Sequence, residues 1–419
     1  MTAIAPIFSP ANYRLPHASF LISSRLSLAM RISPAFDSIA ESPLVQIATV
    51  AESIPGSIKL CYGESDMPTP EFICRAAYDA ARAGHTFYTN TAGYTELRRA
   101  IALKVAELHH VSYEPGQILC TVGASMGIYA TIRALVGAGD NAIVVEPAYA
   151  IFANAIALSG GEPRRVPLAR DGASFALDVD RIRAAIDGRT RMLIVNSPNN
   201  PSGWMASHDD QRALHELAAV HDLVILADEV YDRLTFDQPI ARSLAAVAAG
   251  DKNRVVVVNS FSKTYNMTGW RLGWVQAPER LVRQMSSAVE FMTSNATAMV
   301  QQAGIVALRD GEPYVAELRA HYAARRAQVV AALAAMPGVS VPEPRGGFYA
   351  FPRIDGLTDS AALALEILNA TGVALAPGSA FGAAGEGHLR LGFAAREATI
   401  ETALARVGEF LGERHPRER

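Results

Sequence analysis

Residues 255–274 read V-V-V-V-N-S-F-S-K-T-Y-N-M-T-G-W-R-L-G-W, and Lys263 is their only lysine. Four consecutive valines carry no polar alternation, the pattern of a strand buried on both faces. An ammonium at the end of such a strand loses its hydration unless something compensates. A desolvated lysine that gives up its charge is a nucleophile, able to condense with an aldehyde as a Schiff base. Ser260 and Ser262 just before it, and Arg271 eight residues beyond, have the chemistry to hold a phosphate. Taken alone, the stretch reads equally well as a strand followed by a polar loop with a surface lysine.

Further candidates fall at the same kind of place. Ser125, Tyr149, Asn200, Asp228 and Lys263 each follow soon after an expected strand, namely Gln117–Thr121, Ala142–Val145, Met192–Val195, Leu223–Ala227 and Val255–Val258. In an open parallel sheet, ligands bind beyond the carboxyl ends of the strands. Singly, each has a plain structural explanation. Ser125 could cap a helix, Asn200 lies in a proline-flanked turn, Asp228 could cap the next segment, and Tyr149 could pack in the core. Together on one rim they indicate a site.

The elements that must position them alternate strand and helix, which indicates an α/β domain with a mainly parallel sheet. Helices are expected at Pro43–Ala51, capped by Ser42, and at Glu71–Ala83, capped by Thr69. Others are expected at Glu96–Leu108, from Gly123 through Leu135, up to Leu158, and at Asp209–His221. Ile58–Cys61 and Leu272–Val275 read as further strands. After Pro278 the pattern changes to helices at Pro278–Thr293, Ala296–Leu308 and Pro313–Met336. Short strands at Gly347–Phe351 and His388–Phe393 and a last helix at Glu397–Leu411 follow. The expected division is a large domain over 66–310 and a smaller α+β domain over 31–65 and 311–419.

Composition bounds the function. The 419 residues are 50% hydrophobic with a net charge of −3 and a pI of about 6.4. With no basic block, nucleic acid is excluded as the main partner. Cys61, Cys74 and Cys120 have neither metal spacing nor an even count, so no metal and no disulfide framework is expected. No apolar run approaches the ~18 residues of a membrane span, and a cytoplasmic protein is expected. Residues 1–30 contain Arg14 and Arg25 but no acid, a composition that fits a transit peptide. It also fits an upstream start with Met30 as the natural beginning. Pro6, Pro10 and Pro16 favour the second reading, and the segment is set aside as disordered or mis-assigned.

The motifs, in order, resemble the fold-type I pyridoxal phosphate (PLP)-dependent aminotransferases of class I/II, the aspartate aminotransferase-like group. S-P-N-N-P-S-G (Ser197 to Gly203) is similar to the family's N-P-x-N-P-[ST]-G, with Ser197 in place of the first Asn. D-E-V-Y (Asp228 to Tyr231) is similar to its D-E-x-Y. S-F-S-K (Ser260 to Lys263) with Arg271 is similar to its lysine loop, and H-L-R (His388 to Arg390) to its carboxylate-binding strand. Tyr88-x4-Gly93 extends the match, which covers nearly everything after Met30. The resemblance implies a PLP-binding domain with a seven-stranded sheet flanked by helices, and a smaller domain built from both chain ends.

It also implies roles. Lys263 would form the Schiff base and move the Cα proton, and Asp228 would keep the pyridine nitrogen protonated. Tyr231 and Asn200 would hydrogen-bond the ring's 3-oxygen, and Tyr149 would stack on the ring. Ala124 and Ser125, at a helix N-terminus, would hold the phosphate with Ser260, Ser262 and Arg271. Arg390 would grip the substrate α-carboxylate, with the Gly63 backbone beside it. Tyr88 would reach the phosphate of a neighbouring subunit, which implies a homodimer with shared sites. The expected activity is ping-pong transfer of an amino group from an L-amino acid to a 2-oxo acid. The alternatives are a C–S lyase on the same fold and a non-catalytic PLP-fold regulator. A Rossmann dehydrogenase is excluded, since no G-x-G-x-x-G follows the first strand.

Overall fold

A computed structural model describes residues 41–414 apart from 173 and 249, together with 32, 33, 36 and 39. The reading of residues 1–30 lies outside the described residues. The valine run behaves as its composition requires. Val255 and Val257 enter one hydrophobic cluster while Val256 and Val258 enter another, because alternate side chains of a strand point to opposite faces. Full burial of each stabilises the fold by roughly 1.5–3 kcal/mol.

These valines lie in a seven-stranded sheet. Its strands are β1 (Ile118–Thr121), β2 (Asn141–Glu146), β3 (Glu162–Pro167), β4 (Thr190–Asn196), β5 (Val224–Asp228), β6 (Val255–Ser260) and β7 (Gly273–Gln276). Their order is β1-β7-β6-β5-β4-β2-β3. Strands β2 to β6 pair in parallel, and only β7 is antiparallel to its neighbours β6 and β1. Ile143, Leu193 and Ile225 face one cluster, and Val144, Ile194 and Leu226 face the other. The sheet is therefore covered on both sides, as parallel sheets must be.

Strand β3 was not expected. Its sequence E-P-R-R-V-P carries two prolines and three charges, and it pairs with β2 alone, at the sheet edge, where such residues are tolerated. The small hairpin Ala169–Asp171 with Ser174–Ala176 was likewise not read from the sequence. Ser42 stands at the cap position of the helix Pro43–Ser53, as expected, but its side chain makes no capping bond. The cap at Thr69 is corrected, since Pro70 occupies that position before Glu71–Arg82. The Thr69 hydroxyl instead donates to the Asn266 carbonyl at 2.5 Å and accepts from Trp270 Nε1 at 2.8 Å. It ties the helix start to the segment after Lys263.

A separate cluster joins the two ends of the chain. Ile47, Ala48 and Ala51 from Pro43–Ser53, with Leu60 and Cys61, pack among Phe348, Phe351, Leu391 and Phe393. Ile58–Lys59 pairs in parallel with Val373–Ala374. A three-stranded antiparallel sheet holds β8 (Tyr349–Ala350), β9 (Ala376–Pro377) and β10 (Leu389–Gly392) in the order β8-β10-β9. Val230, Tyr231 and Leu234, just past β5, pack into this cluster as well. The end of β5 thus lies where the large sheet meets the packing of the chain ends.

Candidate active site

Every predicted site residue except Tyr88 lines one cavity of about 350 Å³, within the size range of small-molecule sites. At one end, helix α1 (Gly123–Leu135) begins without a side-chain cap, so its first N–H groups, near Ala124 and Ser125, are available to an anion. Two glycines permit this approach. A Cβ on Gly123 (φ +72°) would collide with the Arg271 guanidinium, and one on Gly273 would lie 2.7 Å from the Ala124 nitrogen. Arg271 itself sits in the left-handed region at φ 54°, a strained conformation for a residue with a Cβ. Its Nη1 donates to the Thr268 carbonyl at 3.0 Å. The Ser260 hydroxyl accepts from the Ser262 amide at 2.9 Å and donates to the Ser262 hydroxyl at 2.8 Å.

In the middle, Lys263 rides on a one-turn helix, Phe261–Thr264, that starts where β6 ends. Its Nζ donates to the Gly63 carbonyl. Burial lowers its pKa to about 8, helped by the charges of Arg390 and Arg271 and opposed by Glu64 and Asp228. Asp228 closes β5, and burial raises its pKa to about 7 against the Val230 amide and the Lys263 charge. The Val230 N–H donates to its Oδ1 at 3.2 Å. Tyr231 is buried, which pushes its phenol well above the ordinary value. Its hydroxyl lies 2.9 Å from that of Tyr349.

At the far end stands Arg390 in β10, only 2% exposed. Nη1 donates to Asn200 Oδ1 at 2.8 Å and Nη2 donates to the Cys61 carbonyl. The guanidinium lies over the rings of Tyr349 (4.4 Å) and Phe381 (4.7 Å), and its Nε has no partner among the described residues. A buried cation with an unused N–H suits a carboxylate. Tyr149 keeps 42% of its surface exposed. Tyr88 is 87% exposed and lies outside the cavity of its own chain.

The sequence missed several residues that line the same cavity, among them Asn196, Tyr349, Tyr62 and Thr268. Asn196 ends β4 and braces the proline-rich turn. Its Oδ1 accepts from the Asn200 amide at 2.7 Å, and its Nδ2 donates to the Asp228 carbonyl at 3.0 Å. Its place just before S-P-N-N-P was the available signal. Tyr349 had one too, since Gly346 and Gly347 precede it and a strand entered through two glycines allows close approach. Among the described residues, no group of three His, Cys, Asp or Glu is placed to hold a metal ion. No described helix is long and apolar enough to cross a membrane.

The pattern that defines the family described as "aminotransferase class I and II" matches residues 55–407. The chain belongs to this family. It is 36% identical over 393 residues to an aspartate aminotransferase of Pyrococcus abyssi, covering 92% of this aminotransferase and 99% of that one. It is also 36% identical to aromatic-amino-acid aminotransferase 2 of Thermococcus litoralis, over the same shares of the two chains. The solved structure of Thermus thermophilus aspartate aminotransferase with maleate superposes with a TM-score of 0.86 at 31% identity. That match covers 91% of this aminotransferase and all of the Thermus chain. The protein is a transaminase, and its relatives' names do not favour the lyase alternative. Class I and II aminotransferases use PLP.

Proposed function

We propose that this aminotransferase holds PLP in the 350 Å³ cavity through Lys263 and moves amino groups between L-amino acids and 2-oxo acids there. The observation that carries the reading is one cavity lined by a lysine with a lowered pKa, a carboxyl with a raised one and a buried arginine. The donor set fits the group. The uncapped start of α1, the hydroxyls of Ser125, Ser260 and Ser262, and the Arg271 guanidinium match a phosphate. Tyr149 offers a ring face, and Asn200 and Tyr231 offer hydrogen bonds to the 3-oxygen.

Bound there, PLP supplies an aldehyde to take up the amino group and a ring that withdraws electrons from the substrate Cα. The chain's own residues do the rest. Lys263 Nζ would hold the cofactor's aldehyde, and its free amine would be the base that takes the substrate Cα proton and returns one. Its lowered pKa keeps a usable fraction of free amine near neutral pH. Asp228 keeps a proton on the ring nitrogen, and Arg390 turns the substrate by its α-carboxylate, with Asn200 and the Gly63 backbone beside it. The two half-reactions share one site, which makes the kinetics ping-pong.

The working unit of this reading is a homodimer in the cytoplasm. Exposed Tyr88 reaches the partner's phosphate cup, and three free cysteines fit a reducing compartment. The residues of 285–302 include Glu290 but no Lys or Arg, so that stretch offers no cation to a second substrate carboxylate, which weighs against a strict dicarboxylate preference. We test the reading with borohydride. Treated wild type retains PLP covalently on the peptide that carries Lys263, and Lys263→Ala retains none while staying folded. Covalent PLP at the native site of the variant overturns the assignment. Single amino acids added to the loaded enzyme give one equivalent of 2-oxo acid per site; continuous ammonia release marks a lyase instead.

A further inference from the structure

Tyr349 occupies the centre of the site, at the start of β8, and the roles above leave it without a task. Its hydroxyl meets that of Tyr231 at 2.9 Å, with the two rings edge to face, 5.8 Å apart at 81°. The Arg390 guanidinium lies 4.4 Å from the centre of the Tyr349 ring. The ring has little freedom. It is 1% exposed, Phe348 packs at 4.7 Å, and a Cβ on Gly63 would come 2.5 Å from its hydroxyl oxygen. One side chain therefore touches both the tyrosine assigned to the cofactor's 3-oxygen and the arginine assigned to the substrate.

We propose that Tyr349 is a positioning residue that directs the Tyr231 proton toward the cofactor and holds the Arg390 plane toward the substrate carboxylate. The proposal rests on the roles given above to Tyr231 and Arg390. Each phenol has one proton to donate and lone pairs to accept with. When Tyr231 donates to the 3-oxygen, its own oxygen can accept, and Tyr349 supplies the donor. A phenol that accepts one hydrogen bond donates a stronger one. Arg390 meanwhile rests on the electron-rich face of the Tyr349 ring, which fixes the guanidinium plane while Nη1 stays on Asn200. The other ionisable groups acting on this pair are Asp228 at the end of β5, Lys263 after β6, Glu64 beside Gly63, and Tyr149.

The test titrates the visible absorbance of the PLP-loaded protein against pH in Tyr231→Phe, Tyr349→Phe and the double variant. A donor to the 3-oxygen favours its anionic form, so Tyr231→Phe raises the midpoint. Tyr349→Phe raises it by about half a pH unit, a fraction of one hydrogen bond to a charged oxygen. The double variant matches Tyr231→Phe alone, because Tyr349 acts only through Tyr231. Shifts that add overturn the proposal, as does an unmoved midpoint in Tyr349→Phe beside a clear shift in Tyr231→Phe. An unmoved midpoint in Tyr231→Phe overturns the Tyr231 assignment and this proposal with it. In a second arm, Tyr349→Phe keeps a ring under Arg390 and leaves KM for a panel of amino acids within about twofold. Tyr349→Leu removes the ring face and raises KM across the panel by roughly five- to thirtyfold, the span of one cation–π contact from exposed to desolvated. Equal KM values in the Phe and Leu variants overturn the Arg390 half.

Discussion

Asp228 and Glu229 are neighbours in the chain, both are buried, and burial raises both to about 7. Yet they belong to different regions. Asp228 opens on the cavity with Tyr231, and its side chain accepts a hydrogen bond from the Val230 amide. Glu229 and Asp232 line no part of that cavity. Glu229 Oε1 accepts from the Leu244 amide at 2.8 Å, and Asp232 meets His109 Nε2 at 3.0 Å. Arg233 forks onto Glu312 at 2.6 and 3.1 Å, and Lys104 joins that carboxylate at 3.3 Å. Burial lowers the His109 pKa, but the Asp232 carboxylate and its hydrogen bond leave it raised overall. The same six residues, D-E-V-Y-D-R, thus serve a site on one side and a brace on the other. A perturbed pKa does not separate the two regions. What separates them is the open space onto which the polar groups of the site converge.

The largest effect that could break this comparison is on turnover. On the role proposed for Asp228, Asp228→Asn removes the group that holds a proton on the ring nitrogen. We expect kcat/KM to fall by about 10³-fold or more, the scale of a major electrostatic contribution to catalysis, with thermal stability little changed. Glu229→Gln keeps kcat/KM within about threefold, since it faces no cavity. Half-reaction rates measured by stopped flow decide the matter, and an equal loss in the two variants would end the distinction.

A smaller effect concerns stability against pH. Each carboxyl has a folded pKa near 7, above its unfolded value of about 4. Below the unfolded pKa both states are protonated, and the favourable contribution of each group is fully present. As pH rises toward 7 the unfolded chain ionises first, so this contribution is lost, by up to about 4 kcal/mol per group. Urea unfolding of the cofactor-free protein at pH 5 and pH 8 should show the decline, and Asp228→Asn and Glu229→Gln should each reduce it. Loading with PLP should abolish the Asp228 share, because a ring cation then faces that carboxylate, and leave the Glu229 share in place. A loaded protein that keeps the full decline contradicts the pairing of Asp228 with the ring nitrogen.

The site side was the more legible one, for a physical reason. Ligand chemistry demands particular residue types at the ends of strands, so Lys263, Asp228 and Asn200 stand out against apolar runs. The four valines were legible because burial on both faces leaves one solution. The brace was silent, because His109, Asp232 and Arg233 are ordinary polar residues until the fold brings His109, at the end of the helix Thr95–His109, to Asp232 across 123 positions. Tyr349 carried only the weak signal of Gly346 and Gly347, because an aromatic beside Phe348 reads as core. Strand β3 was missed because its ladder partner, not its own pattern, makes it a strand. Thr69 has the type and place of a cap, but its tertiary contacts to Asn266 and Trp270 give its hydroxyl another task.

The smallest expected effect tests whether the comparison needs a third region, one supplied by another subunit. Tyr88 is 87% exposed and touches neither the cavity nor the brace in its own chain. If its phenol completes the partner's phosphate cup, it adds one hydrogen bond to a phosphate already held by Ser125, Ser260 and Arg271. Tyr88→Phe should then weaken PLP binding by about 1.5–3 kcal/mol, the range for a hydrogen bond to a charged group, without unfolding the subunit. Mixed dimers locate the contact. Pair a Tyr88→Phe chain with a Lys263→Ala chain, and the one remaining lysine lies in the Tyr88→Phe chain. A loop that crosses the interface gives that lysine site the intact tyrosine of the Lys263→Ala chain, so PLP binds there as in wild type. A loop that acts within its own chain leaves the site as weak as the Tyr88→Phe homodimer, and Tyr88 then belongs to the same chain's surface rather than to a shared site.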